Sequence, residues 1–301
     1  MLPLYLVGAT GTGKSSIAIS IAQKLDGEIV NADAFQIYKG IEIVTDSPKQ
    51  TALDQTKHHL YGALELQENC NAARYSEMAN DQIKEISDRG KTPIIVGGSG
   101  LYIKSLTHGL SDLPPANHEL REELDKISHE ELISRLEKCD PIGASQINLK
   151  NRRYLIRALE ISILAERPMS EIKNEWKKRK VKFTGVALHR PRQELYDRIN
   201  LRVEQMVEEG LMDEMISLPK NISNTAKKAI GIQETQSYLE GKTSLEDCID
   251  SIQRSSRNYA KRQITWFKRE KEFQNVCLEK KDDPNSTIER IISLVIPPEN
   301  A

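Results

Sequence analysis

Long apolar runs are missing from this 301-residue chain, and no stretch approaches the ~20 residues that cross a bilayer. A helical membrane protein is thereby excluded. Cysteine is scarce: Cys70, Cys139, Cys248 and Cys277 lie far apart and form no C-x-x-C pair. Neither a zinc site nor a redox dithiol is indicated, and reduced thiols are the plain reading. The six histidines show no metal-ligand spacing either. Glycine and proline, 16 and 12, are too few for a collagen-like or low-complexity chain, and 38% hydrophobic with 29% charged residues does not fit disorder. Net charge is nearly absent, since 43 Lys and Arg face 44 Asp and Glu, leaving -1. Any nucleic-acid binding must therefore come from local charge. The opening run Met1 to Val7 lacks a basic lead and a small-residue cleavage site. A cytoplasmic, globular protein of about two domains is expected, with no membrane contact.

Charge is balanced in sum but polarised along the chain. Asp112 to Asp140 holds four basic and nine acidic residues, whereas Asn151 to Lys182 holds ten basic and four acidic. The breaker Asp112-Leu-Pro-Pro-Ala marks a domain boundary. Before it the pattern is α/β. Leu4 to Val7 is a short apolar strand, and Ile17, Ala18, Ile21, Ala22 and Leu25 then recur at helical spacing up to Gly27. Glu28 to Ala32 reads as a second strand and Pro93 to Val96 as another. Such alternation implies a parallel sheet flanked by helices. From Glu119 to Trp176 the signals are only helical. Val181 to Leu188 returns to the sheet, before a helix with Leu195, Ile199, Val203 and Met206 on one face and Gly210 at its end. The expected architecture is an α/β, P-loop NTPase-like core from residues 1–111 and 183–301, with an all-helical insertion over 112–182.

Gly8-Ala9-Thr10-Gly11-Thr12-Gly13-Lys14-Ser15 matches G-x-x-x-x-G-K-S/T in full, between a strand and a helix. Glycines let backbone N–H groups turn inward around phosphate oxygens, the helix N-terminus adds partial positive charge, and Lys14 adds a full one. Ser15 would face a magnesium ion. The motif speaks strongly for a diphosphate or polyphosphate, without saying which. A hydrolysing nucleoside triphosphatase normally closes a further strand with an Asp that holds magnesium. Here Pro93 to Val96 runs into Gly97-Gly98-Ser99-Gly100, so ATP hydrolysis is not favoured. A carboxylate, Asp33, ends the second strand instead, expected beside the first at the edge where ligands collect. From position alone, a turn or helix cap is an equal alternative for Asp33.

Seven ordered blocks carry a family resemblance: the loop Gly8 to Ser15, Asn31-Ala-Asp-Ala-Phe-Gln-Ile-Tyr38, Val96-Gly-Gly-Ser-Gly-Leu-Tyr102, Arg157-Ala-Leu-Glu160, Leu195-Tyr-Asp-Arg-Ile-Asn200, Ala229-Ile-Gly-Ile-Gln-Glu234 and Lys261-Arg-Gln-Ile-Thr-Trp266. The chain resembles the tRNA dimethylallyltransferases, or tRNA isopentenyltransferases. The resemblance implies transfer of a dimethylallyl group from dimethylallyl diphosphate to the exocyclic amine of the adenine 3′ of the anticodon. By the same resemblance Asp33 accepts the amine proton and Thr10 contacts the bridging oxygen. Gly8 to Ser15, Arg198 and Arg202 hold the diphosphate with magnesium. Asp33, Ala34, Phe35, Gln36, Ser99, Arg121, Arg153, Tyr154, Leu155, Ile156, Arg157, Lys228, Ala229, Ile230, Gly231, Ile232 and Gln233 fall where the family contacts tRNA. The chain departs from the family at Ala9, often Pro, at Ser99, commonly Thr, and at Ile232, commonly Tyr. The last removes an aromatic ring from an RNA-contact segment.

Arg198 and Arg202 share one helix face, and a solvated charge pair with Glu194 or Asp197 is the plain alternative for them. Further on, Arg254, Arg257, Lys261 and Lys268 form one stripe of a helix whose opposite stripe is Ile249, Ile252, Ser256, Tyr259, Gln263 and Trp266. One face should pack and the other meet RNA phosphates, although an ordinary solvated face accounts for such a stripe equally simply. Lys177-Lys-Arg-Lys180 adds to the RNA reading, and Trp176 and Phe183 beside it fit a core role better than base stacking. Two other functions remain open: an adenine-nucleotide isopentenyltransferase or nucleotide kinase, and a non-catalytic P-loop RNA-binding module. Intact Lys14 and Asp33 argue against the module. No obligate protein partner is evident.

Overall fold

A run of apolar residues suits a strand covered on both faces, and every residue of Leu4–Gly8 (β1) is buried. Its side chains alternate. Leu4 and Leu6 join Ala18, Ile21, Ile94 and Ile288 on one side, while Tyr5 and Val7 join Ile95, Tyr75, Val203 and Phe267 on the other. The computed structural model describes residues 2–110, 113–178 and 182–296, which fall into two compact units, Met1–Leu106 with Lys182–Ala301, and Thr107–Val181.

In the first unit β1 belongs to a six-stranded sheet with Gly27–Asn31 (β2), His58–His59 (β3), Thr92–Gly97 (β4), Thr184–His189 (β5) and Gln274–Cys277 (β6). All pairs are parallel, in the order β3-β2-β4-β1-β5-β6. The expectation that β2 lies beside β1 is therefore corrected. β4 stands between them, pairing Ile94 with both Leu4 and Ile29. Ile94, Ile95 and Val96 are all buried, so this strand takes a central slot, whereas β2 carries Glu28 towards the edge. Glu28 is buried there against His59, 2.6 Å away, and Arg89, also at 2.6 Å.

The order has a consequence at the carboxyl edge. Asp33, just past β2, can approach the phosphate loop after β1 only across the end of β4. That end is glycine: a Cβ on Gly97 would lie 2.2 Å from the Ala32 carbonyl oxygen, and one on Gly98 would lie 2.8 Å from that of Gly8. No side chain fits where a hydrolysing enzyme of this fold keeps its aspartate. Phe183 packs edge-on against Tyr5 at 5.0 Å and beside Phe273 at 5.1 Å, which makes it a core residue.

The second unit consists of the helices His118–Asp125, His129–Cys139, Pro141–Gln146, Arg152–Leu164 and Met169–Lys178, around a core that includes Leu132, Leu136, Leu155 and Leu159. Two buried carboxylates tie it together. Asp140 caps Gly143 N–H at 2.8 Å and accepts from Ser170 N–H and Oγ at 2.8 and 2.6 Å. Glu160, wholly buried, accepts from Asn117 N–H, Arg121 Nε and Arg157 at 2.7, 2.9 and 2.5 Å.

Burial pushes the Glu160 carboxyl up, but the bonds from Arg121, Arg157 and Asn117 outweigh it and hold it below the usual value. A depressed carboxylate contributes stability above its unfolded pKa of about 4.3 that is lost as pH falls through the folded value. Glu160→Gln is thus expected to lower stability by about 1–3 kcal/mol at pH 7, less than for a fully buried pair because both arginines reach solvent. In urea unfolding the gap to the parent should close on acidification below pH 4. An equal loss at pH 7 and pH 3 would contradict this.

Candidate active site

The loop after β1 leads into the helix Lys14–Lys24 through Gly13, whose φ of +92° places it in the left-handed region that glycine adopts without strain. No side chain caps this helix, so its first N–H groups stay open. The carbonyls of the loop are met by cations: Lys14 Nζ donates to Ala9 O at 2.8 Å, Arg198 Nε to Gly11 O at 2.8 Å, and Arg190 Nε to Thr12 O at 2.9 Å. Arg202 donates to Thr10 Oγ1 at 2.8 Å and to Asp46 at 3.1 Å, while its buried Nε has no partner among the described residues. A cavity of about 500 Å³ opens over the loop, lined among others by Lys14, Ser15, Asp33, Asp46, Arg198 and Arg202. Desolvation lowers Lys14 to about 8, with Asp33 opposing the fall, Arg202 adding to it and Asp46 opposing. Arg198 is lowered as well, by burial and then by Arg190.

Asp33 is held by its neighbours. Its N–H donates to Asn31 Oδ1 at 2.8 Å and its Oδ1 accepts from Phe35 N–H at 2.9 Å. Asn31 is itself fixed by donation to Leu60 O at 2.9 Å. Ser99 Oγ accepts from Ala34 N–H at 2.8 Å and so ties the segment to the end of β4. Asp33 therefore serves the turn with one oxygen while its side chain lines the cavity. A second cavity, about 50 Å³, shares Thr10, Asp33, Thr45 and Arg202 with the first and adds, among others, Phe35, Val44, Met206, Ala229, Ile230 and Tyr259. The blocks at Asp33 and at Ala229 are thereby brought together. Beside them a groove of about 310 Å³ is lined among others by Lys227, Lys228, Gln233, Asn258 and Arg262, with Glu234 as its one acidic residue.

The other predicted contact residues divide by burial. Lys228 and Gln233 are exposed, Ile230 half-buried. Ala229 and Ile232 are buried in the core, and Gly231 packs against Val44. Ile232 is therefore a packing residue in this structure. Gln36 turns its amide to Thr45 O and Asp46 O, at 3.0 and 2.8 Å, and holds the turn that lines the cavity. In the helical unit Arg153 and Tyr154 are exposed, whereas Leu155 and Ile156 are buried and belong to its core. Arg121 and Arg157 bind Glu160. On the helix Leu245–Phe267, Arg254 and Lys261 are exposed, as is Lys268 beyond it. Arg257 leaves the stripe, being tied to Asn200. The side chains of Lys177 to Lys180 lie outside the described residues, and Trp176 donates to Gly109 O at 2.8 Å.

The family described as IPP transferase matches residues 36–270. This chain belongs to the tRNA dimethylallyltransferase family. It is 38% identical over 291 residues to the tRNA dimethylallyltransferase of Akkermansia muciniphila, covering 97% of this chain and 98% of that protein. The solved full-length tRNA isopentenylpyrophosphate transferase from Bacillus halodurans superposes with a TM-score of 0.71 at 33% identity, over 96% of this chain and 94% of that one. A eukaryotic dimethylallyltransferase acting on tRNA gives 0.82 at 27% identity, over 97% of this chain and 77% of that one. The chain is accordingly a prenyltransferase of the P-loop α/β type, and among its described residues no helix is long and apolar enough to cross a membrane.

Sequence reading misses five residues that line these cavities or brace the loop and turns around them. Arg190 lies far from the loop in sequence, and Asp46 sits in a turn with φ +53°. Glu214 accepts from Ile43 and Val44 N–H at 2.7 and 2.9 Å. Arg262 stands over the Tyr259 ring at 5.4 Å, off the stripe that helical spacing picks out. Gln263 lies on the stripe read as packing. For that one a signal existed, since an amide on a buried face needs partners.

The depressed Lys14 sets a pH dependence. A bound phosphate oxygen favours the ammonium, so affinity is full below pH 8 and falls above it by up to about tenfold per pH unit. Calorimetric titration with dimethylallyl diphosphate should weaken between pH 7 and 9 in the parent and stay nearly level in Lys14→Arg. Level affinity in the parent would contradict the assignment.

Proposed function

We propose that this chain transfers the dimethylallyl group of dimethylallyl diphosphate to the exocyclic amine of the adenine 3′ of the anticodon in tRNA. The observation that carries the reading is that the two cavities share a wall made of Thr10, Asp33, Thr45 and Arg202. Diphosphate held on the loop and an adenine splayed out of its stack would meet there. The amine nitrogen attacks the allylic carbon, the carbon–oxygen bond breaks, and its electron pair leaves on the diphosphate. The amine proton passes to the Asp33 carboxylate. Negative charge growing on the leaving oxygens is met by loop N–H groups, Lys14, Arg198 and Arg202, which act more strongly in the transition state than before it. The amine lone pair is delocalised into the ring, so proton acceptance by Asp33 adds about 10²- to 10⁴-fold.

Magnesium fits this cavity by donor chemistry. Ser15 and the carboxylates of Asp33 and Asp46 line it, and magnesium takes one or two carboxylates together with substrate phosphates and waters. Ser15 and Asp46 would hold the ion, which would neutralise charge on the leaving group.

Asp33→Asn keeps the shape and removes the proton acceptor. It should bind both substrates and lose at least about 100-fold in transfer rate. Labelled dimethylallyl diphosphate should mark bulk tRNA and leave AMP untouched, because a mononucleotide offers nothing to the basic groove. Efficient labelling of AMP with tRNA inert would overturn the reading. Lys228→Ala with Arg262→Ala should reduce the slope of log affinity for tRNA against log salt by up to about one per lost phosphate contact. An unchanged slope would return the groove to ordinary surface.

A further inference from the structure

Gln263 is only 4% exposed, on a helix face it shares with Ile252, Ala260 and Phe267. Burying an amide is unfavourable unless both its ends are bonded, and here each end meets a different segment. Oε1 accepts from Thr10 N–H at 2.9 Å and Nε2 donates to Gly98 O at 3.0 Å. The partners dictate this orientation, since a backbone N–H only donates and a carbonyl only accepts. The fold also makes room for the amide: a Cβ on Gly98 would lie 2.2 Å from Gln263 Nε2.

Both ends lead to reacting groups. On the Thr10 side the backbone is held by Gln263 and the hydroxyl oxygen accepts from Arg202 at 2.8 Å. A hydroxyl has one proton to donate, and with Arg202 on its lone pair that proton is left for the leaving oxygen. On the other side Gly98 precedes Ser99, whose N–H donates to Ala32 O at 3.2 Å and whose Oγ accepts from Ala34 N–H at 2.8 Å, on either flank of Asp33. One side chain therefore bridges the leaving-group contact and the proton acceptor across the glycine end of β4.

We propose that Gln263 is a positioning residue that sets the separation of Thr10 from Asp33, and so the alignment of leaving oxygen, allylic carbon and amine. The proposal rests on reading the shared cavity wall as the place of transfer. Misplacement by about 1 Å can reduce a rate about 100-fold. Gln263→Leu should accordingly lose about 10- to 100-fold in kcat, with inorganic diphosphate affinity changed less than about threefold.

The decisive variant is Gln263→Glu. A protonated carboxyl presents the same acceptor and donor as the amide, whereas the ionised form repels the Gly98 carbonyl. Burial raises the pKa of such a carboxyl. The rate of Gln263→Glu relative to the parent at the same pH should therefore rise as pH is lowered from 8 to 6. A merely structural amide would give no such recovery. A flat ratio with an active parent, or Gln263→Leu within about threefold of the parent in kcat, would overturn the role of Gln263. No transfer to tRNA by the parent would instead overturn the reading of the site on which it rests.

Discussion

A phosphate loop can turn its N–H groups inward only if its carbonyls find donors on the outside, and the rest of this site is arranged around that requirement. The donors are cationic: Lys14 on Ala9, Arg198 on Gly11 and Arg190 on Thr12. Satisfying the backbone thus gathers positive charge at one end of a cavity. Burial first, and then neighbouring cations, Arg202 at Lys14 and Arg190 at Arg198, disfavour the ionised forms of these two groups. A ligand with several anionic oxygens offsets both effects. The sheet order adds the second requirement, because placing β4 between β1 and β2 puts Asp33 across a glycine-lined gap from the loop. The gap is sterically closed to side chains at Gly97 and crossed by one amide, Gln263.

These features explain how a loop associated with triphosphate cleavage serves group transfer in this family. The position of the hydrolytic aspartate is filled by backbone at Ala32, and Asp33, just past β2, lines both the cavity over the loop and the second cavity. On the proposed reading it would face a nucleophile rather than a metal-bound nucleotide. The groove of Lys227, Lys228 and Arg262 continues from that cavity through Ala229 and Ile230, so on the same reading the charge that would grip a polyanion lies beside the acceptor end.

Much of this was legible in the sequence, for physical reasons. β1, β4 and the helix Lys14–Lys24 show because central strands are apolar on both faces and the loop motif has fixed spacing. The helical character of Glu119 to Trp176 shows through its period. The neighbour of β1 does not show, because β2 and β4 look alike as short apolar runs and both are buried along their whole length. Leu155, Ile156 and Ile232 stand inside segments read as contacts, yet their side chains are buried, because only one face of a helix reaches solvent. Arg190, Asp46 and Glu214 were invisible, since they reach the site from segments brought near only by folding. The two-residue β3 and the four-residue β6 fall below the length at which periodicity speaks.

The central claim is that the loop of Gly8 to Ser15 releases an intact diphosphate as its ligand's carbon is transferred, rather than cleaving a phosphate bond. The stoichiometry of small-molecule products tests it most directly. With dimethylallyl diphosphate, magnesium, unmodified tRNA and ATP all present, the account predicts one diphosphate released for each dimethylallyl group on tRNA, and no tRNA-dependent orthophosphate. Orthophosphate released from ATP in step with RNA binding, or diphosphate released without prenylated tRNA, would contradict it.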